Sequence, residues 1–223
     1  MRDDVGDLMK AKEAESRLVL PSKTFHVIRI DGRAFHSYTR SCERPFDARF
    51  AADMDATALA LVAEISGSLT AFVQSDEISI ISSDLISERA EPWFGGVVQK
   101  VVSVAASLAT ATFNQKRSDV STSTALFDAR VFSLGTEEEV TAYLAWRQAD
   151  ASRNAISMLA HHFLGHKAIN RVPTSTRRTM LLDAGIDISS YPEGFLRGQA
   201  AFKECVVGDV EFTHKVSGEL HIF

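Results

Sequence analysis

Ile28-Arg29-Ile30-Asp31-Gly32-Arg33-Ala34-Phe35-His36 and Gln74-Ser75-Asp76-Glu77-Ile78-Ser79 are the two stretches on which the reading of this chain turns. Each places a carboxylate where a β-rich apolar run meets a turn. Thr24 to Ile30 mixes β-branched and aromatic residues and stops at Asp31-Gly32, the pattern of a buried strand entering a turn. Leu69 to Val73 and Ile78 to Ser82 read as short strands flanking Gln74 to Glu77, which puts the acidic pair at a hairpin tip. Between the two stretches Asp47 is the expected N-cap of a helix, with Phe50, Met54, Ala58, Leu61, Val62 and Ile65 at helical spacing up to Ser66-Gly67. The order strand, helix, hairpin can bring Asp31 and Asp76 side by side. Two carboxylates with the Gly32 carbonyl form an oxygen donor set suited to Mg²⁺, a hard cation that completes its shell with water and substrate phosphates. The expectation is a two-metal nucleotidyl-transfer site.

Downstream, after Pro92 and Gly95-Gly96, residues 97–114 carry Val97, Val101, Ala105, Leu108 and Phe113 at spacing that predicts a second helix. Thr124 to Phe132 reads as another strand. From Thr136 a triple glutamate, favourable in a first turn, opens a long helix through Tyr143, Trp146, Ile156 and Leu159. Helix-like stretches broken by Gly185, Pro192, Gly194 and Gly198 follow, with strands expected around Cys205 to Val210 and Leu220 to Phe223. The β-α-β-β-α-β order predicts an α+β fold of ferredoxin-like type, an antiparallel sheet covered by helices on one face, as in polymerase and cyclase palms. The expected organisation is a palm catalytic domain over residues 1–135 and a mainly helical extension over 136–223, packed into one compact unit.

With 223 residues and a net charge of −5, the chain can bury a substantial core but cannot coat nucleic acid by bulk electrostatics. Residues 1–94 hold 11 basic and 16 acidic side chains, whereas residues 95–135 hold 4 and 2. Nucleic-acid contact is therefore expected in the middle and late segments, with the acidic half left to metals. Charged first residues without an apolar h-region, and no apolar run of bilayer length, predict a cytoplasmic protein with no membrane partner. Cys42 and Cys205 stand far apart in no zinc or disulfide spacing.

An isolated Asp-Gly or Asp-Glu is ordinary turn chemistry. Four motifs in order are more specific: Ile28 to His36, Gln74 to Glu77, Phe127-Asp128-Ala129-Arg130 and Trp146-Arg147-Gln148-Ala149-Asp150. Together they closely resemble the signature of the tRNA(His) guanylyltransferase superfamily, from about Phe25 to Asn154 and more weakly beyond. The resemblance implies a palm that adds nucleotides to the 5′ end of tRNA in the 3′-to-5′ direction, after ATP or GTP activates the 5′-phosphate. It implies two Mg²⁺ ions on Asp31, the Gly32 carbonyl and Asp76. It also implies a nucleotide pocket lined by Asp31, Gly32, Arg33, Ala34, Phe35, His36, Ser75 and Asp76, and assembly as a homotetramer. Glu77 joins Asp31 and Asp76 in the catalytic motif, and alternation along an extended chain turns it away from Asp76, towards pocket support.

Arg33, Arg44, Lys100 and Arg130 are the expected triphosphate contacts, since cations with guanidinium geometry suit phosphate oxygens. Lys100 lies in Phe94 to Ser103, which resembles the family segment that ends in Lys-x-x-Ser, although Gly96-Val97 stands where the eukaryotic pattern has paired arginines. A second departure is Ser152 to Met158, which keeps only Asn154 of a eukaryotic stretch linked to anticodon reading. That points to the guanylyltransferase-like branch, whose members repair or extend tRNA 5′ ends against a template. Asn154, Arg171, Arg177 and Arg178 are the expected tRNA contacts. His161, His162 and His166 read as surface or interface residues, and Trp146 as core. The alternatives are a strict tRNA(His) guanylyltransferase adding one guanosine, a palm-type cyclase, and a non-catalytic RNA-binding relative.

Overall fold

A computed structural model describes residues 4–121, 123–203, 211–213 and 220–222. In chain order the elements are α1 (Asp4–Ala14), β1 (Phe25–Gly32), α2 (Phe35–Tyr38), α3 (Ala48–Glu64), β2 (Ser68–Gln74), β3 (Glu77–Ser83), α4 (Val98–Lys116), β4 (Phe127–Leu134), α5 (Glu137–Leu164), α6 (His166–Ile169), α7 (Thr174–Asp183), α8 (Glu193–Arg197), β5 (Gln199–Phe202), β6 (Glu211–Thr213) and β7 (Leu220–Ile222). Strands β4-β1-β3-β2-β5 form one antiparallel sheet, and β6 pairs with β7 separately. The first four in that order are the ferredoxin-like arrangement. The strand expected at Leu220 is present, whereas the one expected around Cys205 lies outside the described residues.

Side-chain alternation divides the sheet. Ile28, Ile30, Ile78, Ile80, Ala71 and Val73 face α3 and α4, where Met54, Ala58, Leu61, Val101, Ala105 and Phe113 complete the main core. The ferredoxin-like layout puts helices on one face; α5, from the extension expected to pack on the palm, crosses the opposite face, with Tyr143 on Val27 and Ile81, so helices cover both faces. Only half of that second face is apolar: the strand ends carry Arg29, Asp31, Gln74 and Glu77, in register with Asp128 and Arg130 of β4. A long helix laid over a half-polar face must supply polar partners along its own stripe.

The caps fit the sequence. Asp47 accepts from the Phe50 N–H at 2.7 Å, and Thr136 accepts from the Glu139 N–H at 3.2 Å. β5, by contrast, was not expected. Gly198 sits at φ +80°, and a Cβ there would lie 2.5 Å from the Phe72 ring and 2.8 Å from the Val73 carbonyl. Glycine therefore lets the chain leave α8 tight against β2 and pair with it at the sheet edge.

The other end of β1 is held by Asp84, which is buried and accepts from the N–H groups of Lys23 at 2.8 Å and Thr24 at 3.1 Å. Burial opposes its charge, but these donors outweigh it and hold the carboxyl below its ordinary pKa. A depressed folded pKa stabilises the protein above the unfolded value and loses that contribution as the pH falls. Asp84→Asn should cost about 1–2 kcal/mol at pH 7. In urea titrations the gap from the native chain should close as the pH drops below about 4.

Candidate active site

β2 and β3 are joined by Ser75 and Asp76, with Ser75 held at φ 49°. A left-handed serine is costly, and such strain clusters at functional turns. The Gly32 N–H donates to the Asp76 carbonyl at 3.0 Å, which locks the end of β1 to that turn. Asp31 pairs in register with Glu77, so the two aspartates are neighbours across strands. The Asp76 carboxyl is pushed above its ordinary pKa, first by burial and then by the charge of Asp31, against a hydrogen bond from the Ser75 side chain. The nearest cation on Asp31 is Arg130 at 3.9 Å, on a pair about half and a third exposed, too loose and too solvated to neutralise the site.

These residues fit Mg²⁺. Among the described residues no group of three or more His, Cys, Asp or Glu side chains could hold an ion, so one here would rest on Asp31, Asp76, backbone carbonyl and ligands from water and substrate. That sparse, all-oxygen set is how Mg²⁺ is usually held, and two adjacent carboxylates met only by a loose, half-exposed arginine gain from a divalent ion.

The glycine beside Asp31 has a packing reason. A Cβ on Gly32 would lie 2.4–2.7 Å from the Phe35 ring, which is buried among Tyr38, Phe50, Phe113 and Phe127. Phe35 therefore cannot offer its ring to a nucleotide, and its part in the loop is to anchor it. Arg33, Ala34 and His36 are exposed around it, with Ala34 at φ 55° and the Arg33 N–H bonded to the Leu126 carbonyl at 2.8 Å.

Glu77 is turned onto the α5 face, where Arg147 meets it through Nε at 2.8 Å and Nη2 at 2.9 Å. Arg147 also reaches Asp150 at 3.0 Å, and Arg153 reaches Asp150 at 2.9 Å. Burial raises the Glu77 pKa, with Arg147 and Arg29 pulling it back down. Both oxygens of Glu77 are occupied, as a supporting role requires. The Trp146 to Asp150 motif by itself gives Arg147 and Asp150 no role; their partners in the fold supply it. Trp146 is a correction: it is 50% exposed, because Arg147 takes the inward position and Trp146 covers its guanidinium from outside, 4.5 Å from ring to cation.

Two adjoining clefts flank the turn. One is lined by Asp31, Ser75, Asp76, Glu77, Asp150 and His161, so His161 borders the site instead of lying apart from it. The other, about 130 Å³ and partly open, is walled by Phe46, Phe50, Met54, Val73, Met158 and Phe195. Gln74, Ser75, Asn154 and Met158 line both. Arg44 borders the apolar cleft, its guanidinium on the Thr39 carbonyl at 3.0 Å. Lys100 is exposed in the first turn of α4 and lines neither cleft. Arg171 and Arg178 are exposed, whereas Arg177 is drawn into the fold by Ser157 at 2.9 Å and the Ile169 carbonyl at 3.3 Å.

A sequence profile described as tRNAHis guanylyltransferase matches residues 7–135. The chain belongs to this family. An uncharacterized protein of Acanthamoeba polyphaga mimivirus is 30% identical over 190 residues, 74% of this chain. The chain spans 65% of that protein's length and 42% of a tRNA(His) guanylyltransferase 2 from Arabidopsis thaliana. Among solved structures, a bacterial tRNA(His) guanylyltransferase-like protein in complex with ATP superposes with a TM-score of 0.86 at 36% identity, over 90% of this chain and 89% of that one. One in complex with GTP gives 0.79 at 31%, over 99% and 90%. The palm-type fold is thus that of the family.

Removing one partner of the buried Glu77–Arg147 pair should be more damaging than removing both. Arg147→Met should cost about 3 kcal/mol by leaving buried Glu77 with only the longer Arg29 contact at 4.0 Å. Adding Glu77→Gln to that variant should recover more than 1 kcal/mol, roughly the size of a direct coupling, in a double-mutant cycle read by chemical denaturation.

Proposed function

We propose that this protein is a Mg²⁺-dependent nucleotidyltransferase that adds nucleotides to the 5′ end of tRNA, growing it in the 3′-to-5′ direction, and that addition is guided by a template base. The observation that carries the reading is the juxtaposition of Asp31 and Asp76 at one strand end, with a partly apolar cleft adjoining them. Family membership and the likeness to proteins in complex with ATP and GTP support it.

Two partial reactions would share this site. In activation, a 5′-phosphate oxygen of the tRNA attacks the α-phosphorus of ATP or GTP and pyrophosphate leaves. In addition, the 3′-hydroxyl of the incoming nucleoside triphosphate attacks the activated 5′-phosphate and the nucleoside monophosphate leaves. Bound at Asp31, the Gly32 carbonyl and Asp76, Mg²⁺ would supply charge neutralisation on attacking and leaving oxygens. The chain's own residues do the rest. Phe35 anchors the Gly32 to His36 loop, and Glu77 with Arg147 fixes the Asp76 turn against α5. Arg33 and Arg130 stand exposed beside Asp31, and Arg44 beside the apolar cleft, as candidates for triphosphate oxygens. Lys100 would need tRNA or a second subunit to share in that task. Arg171 and Arg178 are the cations left free for a tRNA backbone, while Arg177 serves packing. A homotetramer in the cytoplasm belongs to the same reading. Among the described residues no helix is long and apolar enough to cross a membrane.

The template-guided form rests on Ser152 to Met158, where the family's anticodon-linked stretch is replaced by residues such as Ala155 and Met158 that pack or line the clefts. Purified protein given 5′-truncated tRNAs of several identities with Mg²⁺ and labelled nucleotides should extend each to match its 3′ partner. Addition of a single guanosine to tRNA(His) alone would replace this reading with the strict guanylyltransferase. Asp31→Asn and Asp76→Asn should each lower incorporation by at least about 10³-fold while the melting temperature holds, as loss of a charge-stabilising group in a phosphoryl-transfer site does. Undiminished incorporation in either variant would refute the site.

A further inference from the structure

The carboxylate cleft has two unlike ends. Toward the strands it is edged by Asp31, Asp76, Glu77 and Asp150, and at the far end, along α5, stand Ser157 and His161. From Asp150 to His161 the helix rises roughly 16 Å at 1.5 Å per residue. Of the lining groups that can carry positive charge, Arg147 is buried and spent on Glu77 and Asp150, which leaves His161. His161 is exposed, and among the described residues its imidazole makes no hydrogen bond or ion pair. Its ring neighbour is His166, 5.9 Å away between centres. An imidazole keeps at least one N–H to donate whether charged or neutral.

Behind that end the fold gathers cations. Gly165, at φ 78°, ends α5 and turns the chain so that α6 opens with His166 beside His161. α7 packs on α5, and its Arg177 donates to Ser157 at 2.9 Å, one helical turn before His161. Residues 161–178 contain Lys167, Arg171, Arg177 and Arg178 and no Asp or Glu, in a chain whose net charge is −5. Lys167, Arg171 and Arg178 are exposed. A basic surface free of acids that meets a carboxylate cleft at one histidine has the charge pattern of a track for a polyanion whose reacting end goes to a metal site. A nucleoside triphosphate with its phosphates at Asp31 and Asp76 and its base turned to the apolar cleft leaves the α5 end of the groove empty. A polynucleotide strand running from the basic surface to the carboxylates fills it.

We propose that the 5′ strand of the tRNA reaches the carboxylates along α6 and the end of α5, and that His161 donates a hydrogen bond to a backbone phosphate just behind the reacting 5′ end. Lys167, Arg171 and Arg178 then meet phosphates further along the strand, and Arg177 holds Ser157 and with it that wall of the cleft. The inference rests on the tRNA reading given above.

The test is equilibrium binding, with Mg²⁺, of an acceptor-stem RNA hairpin with a 5′-monophosphate to the full chain and to His161→Leu and His161→Gln. The hairpin is made in a fully charged form and in forms with a single uncharged methylphosphonate at the first, second or third linkage from the 5′ end. The native protein should lose about fivefold or more in affinity when one of these linkages is neutralised, the size of one hydrogen bond to a charged group. His161→Leu should bind the charged hairpin more weakly by a similar factor and should no longer distinguish that linkage. His161→Gln, which keeps an N–H donor, should retain most of the discrimination. ATP affinity should stay within about twofold in both variants. Native protein indifferent to all three linkages overturns the proposal, and so does His161→Leu with the native loss at the same linkage. A fall in ATP affinity in His161→Leu with RNA binding unchanged also overturns it, because the phosphate then belongs to the nucleotide. Failure of the charged hairpin to bind the native protein, with ATP still binding, would sink the tRNA reading and this inference together, an outcome distinct from the others.

Discussion

One backbone hydrogen bond, from the Gly32 N–H to the Asp76 carbonyl at 3.0 Å, sets the geometry of everything near the site. It joins the end of one central strand to the turn that begins its neighbour, and so places two aspartates of distant sequence side by side. The bond depends on Gly32 having no side chain, because the Phe35 ring occupies the space a Cβ would need. Phe35 in turn is held by four aromatic neighbours in the core. The carboxylate pair is therefore positioned by the packing of the hydrophobic core and does not rely on loop contacts, which is how a site keeps like charges together in the absence of an ion.

The second face of the sheet balances these charges. Along α5, Tyr143, Arg147, Asp150, Asn154, Met158 and His161 recur at three- and four-residue steps and so share the stripe that faces the strands. The stripe begins apolar over Val27 and Ile81, becomes ionic over Glu77, and ends polar along the clefts. One helix thereby does three jobs in succession. The alternation of Glu77, Arg147, Asp150 and Arg153 sets each charge against an opposite neighbour, and it leaves Asp31 with only the loose, half-exposed Arg130 at 3.9 Å.

Much of this was legible beforehand where the signal was local. The strand ending at Asp31, the Asp47 cap, the hairpin at Ser75-Asp76 and the helices beginning near 98 and 137 follow from alternation, capping chemistry and period. β5 was missed because Gln199-Ala200-Ala201-Phe202 has no β-branched residue and pairs only because β2 offers it an open edge. Trp146 was misplaced because a helix can bury either of two adjacent large residues. The ion pair to Glu77 chose Arg147, and no periodicity in the sequence records that choice. The arginines at 171, 177 and 178 look alike in sequence, yet Ser157 captures only the middle one.

The sequence by itself determined the antiparallel palm and the two aspartates at its strand ends, since period-two alternation and turn residues act over a few neighbours. Its motifs also carried the family resemblance. Only the tertiary structure decided that α5 covers the second face, that Arg147 neutralises Glu77, and that Phe35 packs inward. Those facts depend on contacts between residues tens of positions apart, formed when burial forces each polar group to find a partner or go without one.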